Sequence, residues 1–219
     1  PASRVEITAG KLALTDFFDS ASGSSDPRHR FLNWALMTNG AWDFAADTRG
    51  YDWGVVVALE QPRWALRAGL AMMPSTANGP RFDTDVRQAH SEVVEGEWRY
   101  RLLGNPGAVK LLGYWNHARM GRYADALAAA APGQVPDITS VEQAGALKYG
   151  VGVLVDQRVG AAWTFLRASW NDGRTETYAF TEIDRAVSAG AEIPGEGWGR
   201  AGDRLGIGVA ASGLSPDHA

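Results

Sequence analysis

One pattern limits what this chain can become: apolar and polar residues alternate with a period of two, in segment after segment, with turn-forming residues between them. Successive side chains of a β-strand point to opposite faces, so each such segment builds a sheet with one apolar and one polar side. In 51–60 the odd positions are Tyr51, Trp53, Val55, Val57 and Leu59. In 63–73 the even positions are Trp64, Leu66, Ala68, Leu70 and Met72, behind a face that carries Arg63 and Arg67. In 94–102 one face holds Val94, Gly96, Trp98, Tyr100 and Leu102, and the other holds Glu95, Glu97, Arg99 and Arg101. Segments 109–116 and 147–156 alternate in the same way. Weaker patterns at 5–14, 162–170, 177–193 and 205–211 bring the expectation to about nine strands.

The connections alternate too. Gln61-Pro62, Gly104-Asn105-Pro106-Gly107 and 157–160 are short and carry turn chemistry, whereas 15–50, 74–89 and 119–146 are long. Short turns on one side of a sheet and long loops on the other predict an all-β fold, a transmembrane antiparallel up-and-down barrel. If the long loops are extracellular, Tyr51, Trp53, Trp115, Tyr149 and Trp170 fall near the outer rim, and Trp64, Trp98 and Tyr100 near the periplasmic rim. Two aromatic belts around an aliphatic band match the two interfaces of a membrane.

Hydropathy does not oppose this reading. No stretch reaches the ~18 apolar residues of a transmembrane helix, and the run from Ala126 to Ala131 stops at Pro132. A helical membrane protein is excluded, but alternating strands cancel in any hydropathy average. Lys and Arg number 21 against 25 Asp and Glu, a net charge of -4 that supplies no basic field for nucleic acid. Cysteine is absent, which removes disulfides and thiolate metal sites.

Catalytic constellations are weak. His29, His90, His117 and His218 show no metal-ligand spacing along the chain. Ser24-Ser25 and Ser212 lack a nucleophile elbow. Glu95 and Glu97 sit two apart and could mimic a glycosidase pair, but Arg99 and Arg101 beside them favour two ionised carboxylates rather than a general acid. Gly150-Val151-Gly152 lies inside a strand pattern and is no phosphate loop. No cofactor is expected, and no enzymatic activity.

The polar face is therefore where function is sought. In a barrel it lines the lumen, and a row of both charge signs is expected to keep that lumen wet.

Several short segments stand out as an ordered set. They are Gly10-Lys11 with Asp16-Phe17-Phe18-Asp19, Asp26-Pro27-Arg28 with Phe31-Leu32-Asn33-Trp34-Ala35-Leu36, and Gly40-Ala41-Trp42-Asp43 with Ala46-Asp47-Thr48-Arg49-Gly50-Tyr51. Trp64-Ala65-Leu66-Arg67-Ala68-Gly69, Trp170-Asn171-Asp172-Gly173-Arg174-Thr175-Glu176, Thr181-Glu182-Ile183-Asp184-Arg185, Trp198-Gly199-Arg200 with Asp203-Arg204-Leu205-Gly206, and Gly213-Leu214-Ser215 follow in order. Together they resemble the OprB-type carbohydrate-selective porin family. The resemblance implies an outer-membrane barrel of about sixteen strands in a Gram-negative bacterium, passing monosaccharides and similar small solutes by facilitated diffusion. Its partners would be small sugars and outer-membrane lipid, with room for a homo-oligomer.

In extent the chain departs from the family. It is expected to be one partial barrel over 1–219, starting inside the barrel and stopping at His218-Ala219 before the remaining strands. The pore-lining residues expected to bind sugar hydroxyls are Arg67, Glu95, Glu97, Arg99, Arg101, Arg167, Glu182 and Asp184. Segment 15–50 is expected as a long extracellular or constriction loop, with Asp26, Arg28, Asn33 and Trp34 at the constriction. On the residues alone, a soluble or surface β-sandwich that binds carbohydrate stays open as the alternative, and detergent dependence separates the two.

Overall fold

A computed structural model describes residues 3–179 and 182–219. Phe180 and Thr181, the latter in one of the family-like segments, lie outside the described residues. The strands are β1 (Arg4–Leu12), β2 (Asp52–Glu60), β3 (Trp64–Met72), β4 (His90–Leu102), β5 (Asn105–Met120), β6 (Gln143–Val159), β7 (Ala162–Asn171), β8 (Arg185–Pro194) and β9 (Arg204–Gly213). They form one nine-stranded sheet in sequence order, every neighbouring pair antiparallel. Among the described residues β1 and β9 are edges that do not pair with each other. In an antiparallel meander the first and ninth strands run the same way, so an antiparallel closure needs further strands between them.

The alternation read from the sequence decides the two faces. Outward point Trp53, Val55, Val57 and Leu59 of β2, Leu66 and Leu70 of β3, Leu111 of β5, Val151 of β6 and Ile207 and Val209 of β9. Val55 and Leu59 are half-buried and the others exposed, to 63% at Leu111 and 68% at Val209, and no second sheet covers them among the described residues. Tyr51, Trp53, Trp115, Tyr149 and Trp170 lie toward one end of that face. Trp64, Trp98 and Tyr100 lie toward the other, with Trp64 directly opposite Trp98. No helix is long and apolar enough to cross a membrane.

The short connections share one end, here the turn end. Leu103 and Gly104 both adopt positive φ (49° and 79°), the two-residue geometry whose twist matches that of the flanking strands. Asn105, Pro106 and Gly107, expected in this turn, belong to β5 instead. Gly160, with φ 59°, leads the turn into β7, and residues 157–159, expected as turn, close β6. The long connections share the other end, here the loop end. There β4, β5 and β6 run further than the alternation alone indicated, so the loop expected over 119–146 shrinks to 121–142. The strand expected over 177–193 begins only at Arg185, because Tyr178 and Ala179 donate their backbone N–H groups to the Asp43 carboxylate (2.9 and 2.8 Å).

Residues 13–51 fold back along the inward face, carrying the short helix α1 (Trp34–Met37). Phe18, Trp42 and Phe44 pack there with Val56, Met73, Val93, Leu112, Tyr114 and Met120 in a buried cluster. Close approach is needed: a Cβ at Gly69 would lie 3.1 Å from the Phe18 ring, and one at Gly152 would lie 2.7 Å from the Asn39 amide. The loop's backbone finds its partners on inward polar side chains. The Tyr114 hydroxyl donates to the Ala41 carbonyl (2.9 Å), the Ala41 N–H donates to Ser169 (3.0 Å), and the Asn116 amide donates to the Asp43 carbonyl.

Half of the inward face is therefore dry, contrary to the expectation that its charges keep it wet. Glu95 (0% exposed) and Arg167 (1% exposed) are both packed beneath the loop. Multiple hydrogen bonds offset the desolvation of these charges.

Candidate functional site

The open part of the inward face lies at the turn end. Strand parity alone puts Glu60, Arg67, Glu97, Arg99, Arg101 and Lys110 on this side, contributed by four successive strands. Arg67 sits between three carboxylates: its Nη1 donates to Glu95 (2.9 Å) and Glu97 (2.7 Å), and its Nη2 to Glu60 (2.6 Å). Arg99 closes the ring from the turn side, donating to Glu97 (2.6 Å), Glu60 (2.6 Å) and the Gln61 carbonyl (2.9 Å). Lys110 stands 3.6 Å from Glu97 and donates to the Ser20 carbonyl (2.6 Å). Charge-assisted bonds in such a network hold each side chain in one geometry.

Beside this network is a cleft of about 860 Å³. Its polar lining includes Arg99, Arg101, Lys110, Asp156, Ser20 and Ser22, and Trp163 forms an aromatic side. Arg101 is exposed and donates one bond to the Gly104 carbonyl (2.8 Å). The tip of the 13–51 loop forms the cleft's inner boundary: the N–H and Oγ of Ser22 donate to Asp156 (2.9 and 2.7 Å). Gly23 lies where a Cβ would come within 3.0 Å of the Trp163 Cβ.

The loop tip is held by Asp19, a residue at positive φ (53°). Its N–H donates to Glu95 (2.6 Å), and its carboxylate accepts from Arg167 Nε (3.1 Å) and the Asn39 amide (2.9 Å). Arg167 also donates to Ser24 (2.8 Å), Ser25 (3.0 Å) and the Leu36 carbonyl (2.8 Å). Glu95 and Arg167 thus anchor the loop from below, while Glu97, Arg99 and Arg101 reach the cleft and Arg67 organises them.

The remaining sequence-derived candidates lie elsewhere. Asp184 and Glu182 are at the loop end, where His218 approaches them at 2.9 and 3.2 Å and stacks on Tyr123 (4.2 Å). Asp26 accepts from the Arg28 N–H (3.0 Å) and lies 2.9 Å from His29, contacts that hold its carboxyl below the ordinary range, His29 foremost. Asn33 caps α1 by accepting from the Ala35 N–H (3.0 Å), and Trp34 packs 6.0 Å from Phe44. These two residues shape the loop rather than the cleft.

Glu60, Lys110 and Asp156 were missed, although their parity on β2, β5 and β6 identifies the inward face once the outward one is known. Asp19, Ser20 and Ser22 carry no such signal, because only the folded loop brings them to the wall. The histidines also look different in three dimensions. Pairing of β4 with β5 sets His90 opposite His117 on the outward face, with Glu92 beside them.

A family description, the carbohydrate-selective porin OprB family, matches residues 2–219. No curated protein matches the chain. Among solved structures it is similar to OprB of Pseudomonas putida, described at high pH, with 19% identity and a TM-score of 0.71. The match covers 98% of this chain and 52% of that one, so the chain spans about half the length of that relative. At this identity the likeness establishes the fold.

Proposed function

Since the chain belongs to the OprB family of carbohydrate-selective porins, we propose that it forms part of the wall of an outer-membrane channel through which monosaccharides and similar small solutes diffuse. The observation that carries this reading is the opposition of two faces on the same strands. One is a largely aliphatic surface edged by indole rings. The other opens into a polar cleft bearing both charge signs. Lipid suits the first surface and water the second.

A sugar entering such a cleft exchanges hydroxyl–water bonds for bonds to the wall. Arg101 and Lys110 offer donors, Asp156 and Glu97 offer acceptors, and Trp163 offers an apolar ring face for the sugar's C–H surface. Each exchanged bond is worth about 0.5–1.5 kcal/mol net, so a few of them bind weakly enough for release. Arg67 and Arg99 are already committed to carboxylates, and they act by fixing the cleft's shape and charge. Segment 15–50 serves as the constriction, narrowing the lumen with Asp26, Arg28, Asn33 and Trp34 among its residues. Glu182 and Asp184 act near the mouth. The channel performs no covalent chemistry. Mixed lumen charge favours neutral sugars over acidic polysaccharides, and the exposed aliphatic face disfavours a soluble carbohydrate-binding sandwich.

Liposome swelling with the full-length protein and a sugar series tests this. Glucose-sized solutes should enter far faster than they enter protein-free vesicles, and equal rates would refute the channel.

A further inference from the structure

We propose that His90, Glu92 and His117 form a site for a divalent transition-metal ion, Zn²⁺ by preference, that clips β4 to β5 on the outward face at the loop end. The backbone sets the geometry. His90 and His117 are direct partners in the antiparallel register, a relation that brings Cβ atoms to about 4.5–5.5 Å. Glu92 lies two residues along β4, on the same face. The two imidazoles stack with centroids 4.7 Å apart and planes inclined by 22°, and a Glu92 oxygen lies 3.7 Å from His90 Nε2. One ligand atom from each residue falls within 4.8 Å of the others, and among the described residues this is the one group of three such side chains that converges.

Bonds of about 2.0–2.2 Å bring tetrahedral ligands to roughly 3.3–3.6 Å apart, so closure needs the side chains to rotate out of their stack and draw together by about an ångström. Two imidazole nitrogens and one carboxylate suit Zn²⁺, leaving a fourth position for water, and are poorly suited to Ca²⁺ or Mg²⁺, which take oxygen ligands.

Two further observations favour a ligand. His90 Nδ1 is buried without a hydrogen-bond partner, and Nε2 faces Glu92 at 3.7 Å, beyond hydrogen-bond length. The three residues also break the chemistry of their surface, since the outward face of β4 continues with Val94, Gly96 and Trp98. They stand at and just beyond the indole belt, where Glu92 is the register partner of Trp115. Water reaches this level, and a polar trio there is affordable to a barrel in lipid. Val86, from the 73–89 connection, lines the same shallow groove as His90 and Glu92.

Calorimetric titration of the full-length protein in detergent with ZnCl₂ tests the site. One saturable ion per chain is expected, and the double variant H90Q/H117Q should weaken binding by more than about 100-fold, beyond what loss of an outer-shell partner costs. E92Q keeps both rings but removes the anionic ligand, and it should weaken binding, though by less than H90Q/H117Q does. H29Q/H218Q should change nothing. With Cu²⁺ in place of Zn²⁺, paramagnetic resonance should show coupling to two imidazole nitrogens. Absence of saturable binding up to millimolar Zn²⁺, or binding that survives H90Q/H117Q or vanishes in H29Q/H218Q, overturns the proposal. The site faces away from the cleft, so sugar permeation reports on the channel independently.

Discussion

The two halves of the inward wall belong to the same strands yet meet different surroundings. Toward the loop end, Val93, Leu112, Tyr114 and Asn116 touch Phe18, Trp42 and the backbone of 39–43, and water is shut out. Toward the turn end, Glu97, Arg99, Lys110 and Asp156 border an open cleft. The strand alternation is identical in both halves, so inward orientation does not by itself mean lumen. What separates them is the course of residues 13–51, which covers the first half and meets the wall beyond it only locally, at Ser22 with Asp156 and Arg30 with Glu192. Asp19, Glu95 and Arg167 mark the boundary, a row of buried charges that fastens the end of the plug.

Four changes test this division, beginning with the largest effect. Trp42, 1% exposed, fills the centre of the dry half; Trp42→Ala should cost about 3–5 kcal/mol in denaturant unfolding and expose 13–51 to protease. A loss below 1 kcal/mol would mean that the loop merely rests on the wall. Arg67→Met removes the cation shared by Glu60, Glu95 and Glu97. It should cost about 3 kcal/mol, near the lower end for a broken buried pair because Arg99 and Lys110 remain. A neutral result would show the network to be solvated.

The third change concerns pH at the loop end. Burial pushes the Glu176 carboxyl from its ordinary 4.5 up to about 7, while its Oε1 accepts from the Gly121 N–H (3.0 Å). The fold thus prefers the neutral acid. Its contribution is complete below pH 4.5 and is lost as pH rises through 7, by about 1–2 kcal/mol once solvent screening is allowed for. Glu176→Gln should flatten that slope, and an unaltered pH profile would place the carboxyl in water. The smallest change in stability belongs to Arg101→Ala at the exposed cleft, within about 0.5 kcal/mol, yet it should alter the relative entry rates of sugars in swelling assays. Unchanged rates would remove Arg101 from the solute path.

How much of this was legible from sequence varied with the kind of signal. Nine strands, their faces and the two aromatic belts follow from parity, because side-chain direction in a strand is fixed by its neighbours along the chain. Alternation alone starts β4 four residues late, since His90 and Glu92 stand where an aliphatic pattern would show it. It also shifts the turn after β4, because Gly104 and Pro106 look alike as turn formers, whereas the required positive φ falls at Leu103 and Gly104. Asn116, Ser169 and Asn171 share the inward parity, yet they bond directly to the inserted loop, which no strand pattern shows.

The amino-acid order alone therefore determined that this chain makes an antiparallel sheet with a lipid-compatible outside, a polar inside, and turns and loops at opposite ends. Only tertiary structure decided which inward residues are dry, which carboxylates share Arg67, and which histidines meet across strands. The physical reason is range. Strand parity is fixed by adjacent peptide units, whereas the solvent seen by Glu95 or Arg167 depends on a segment 76 or 148 residues away.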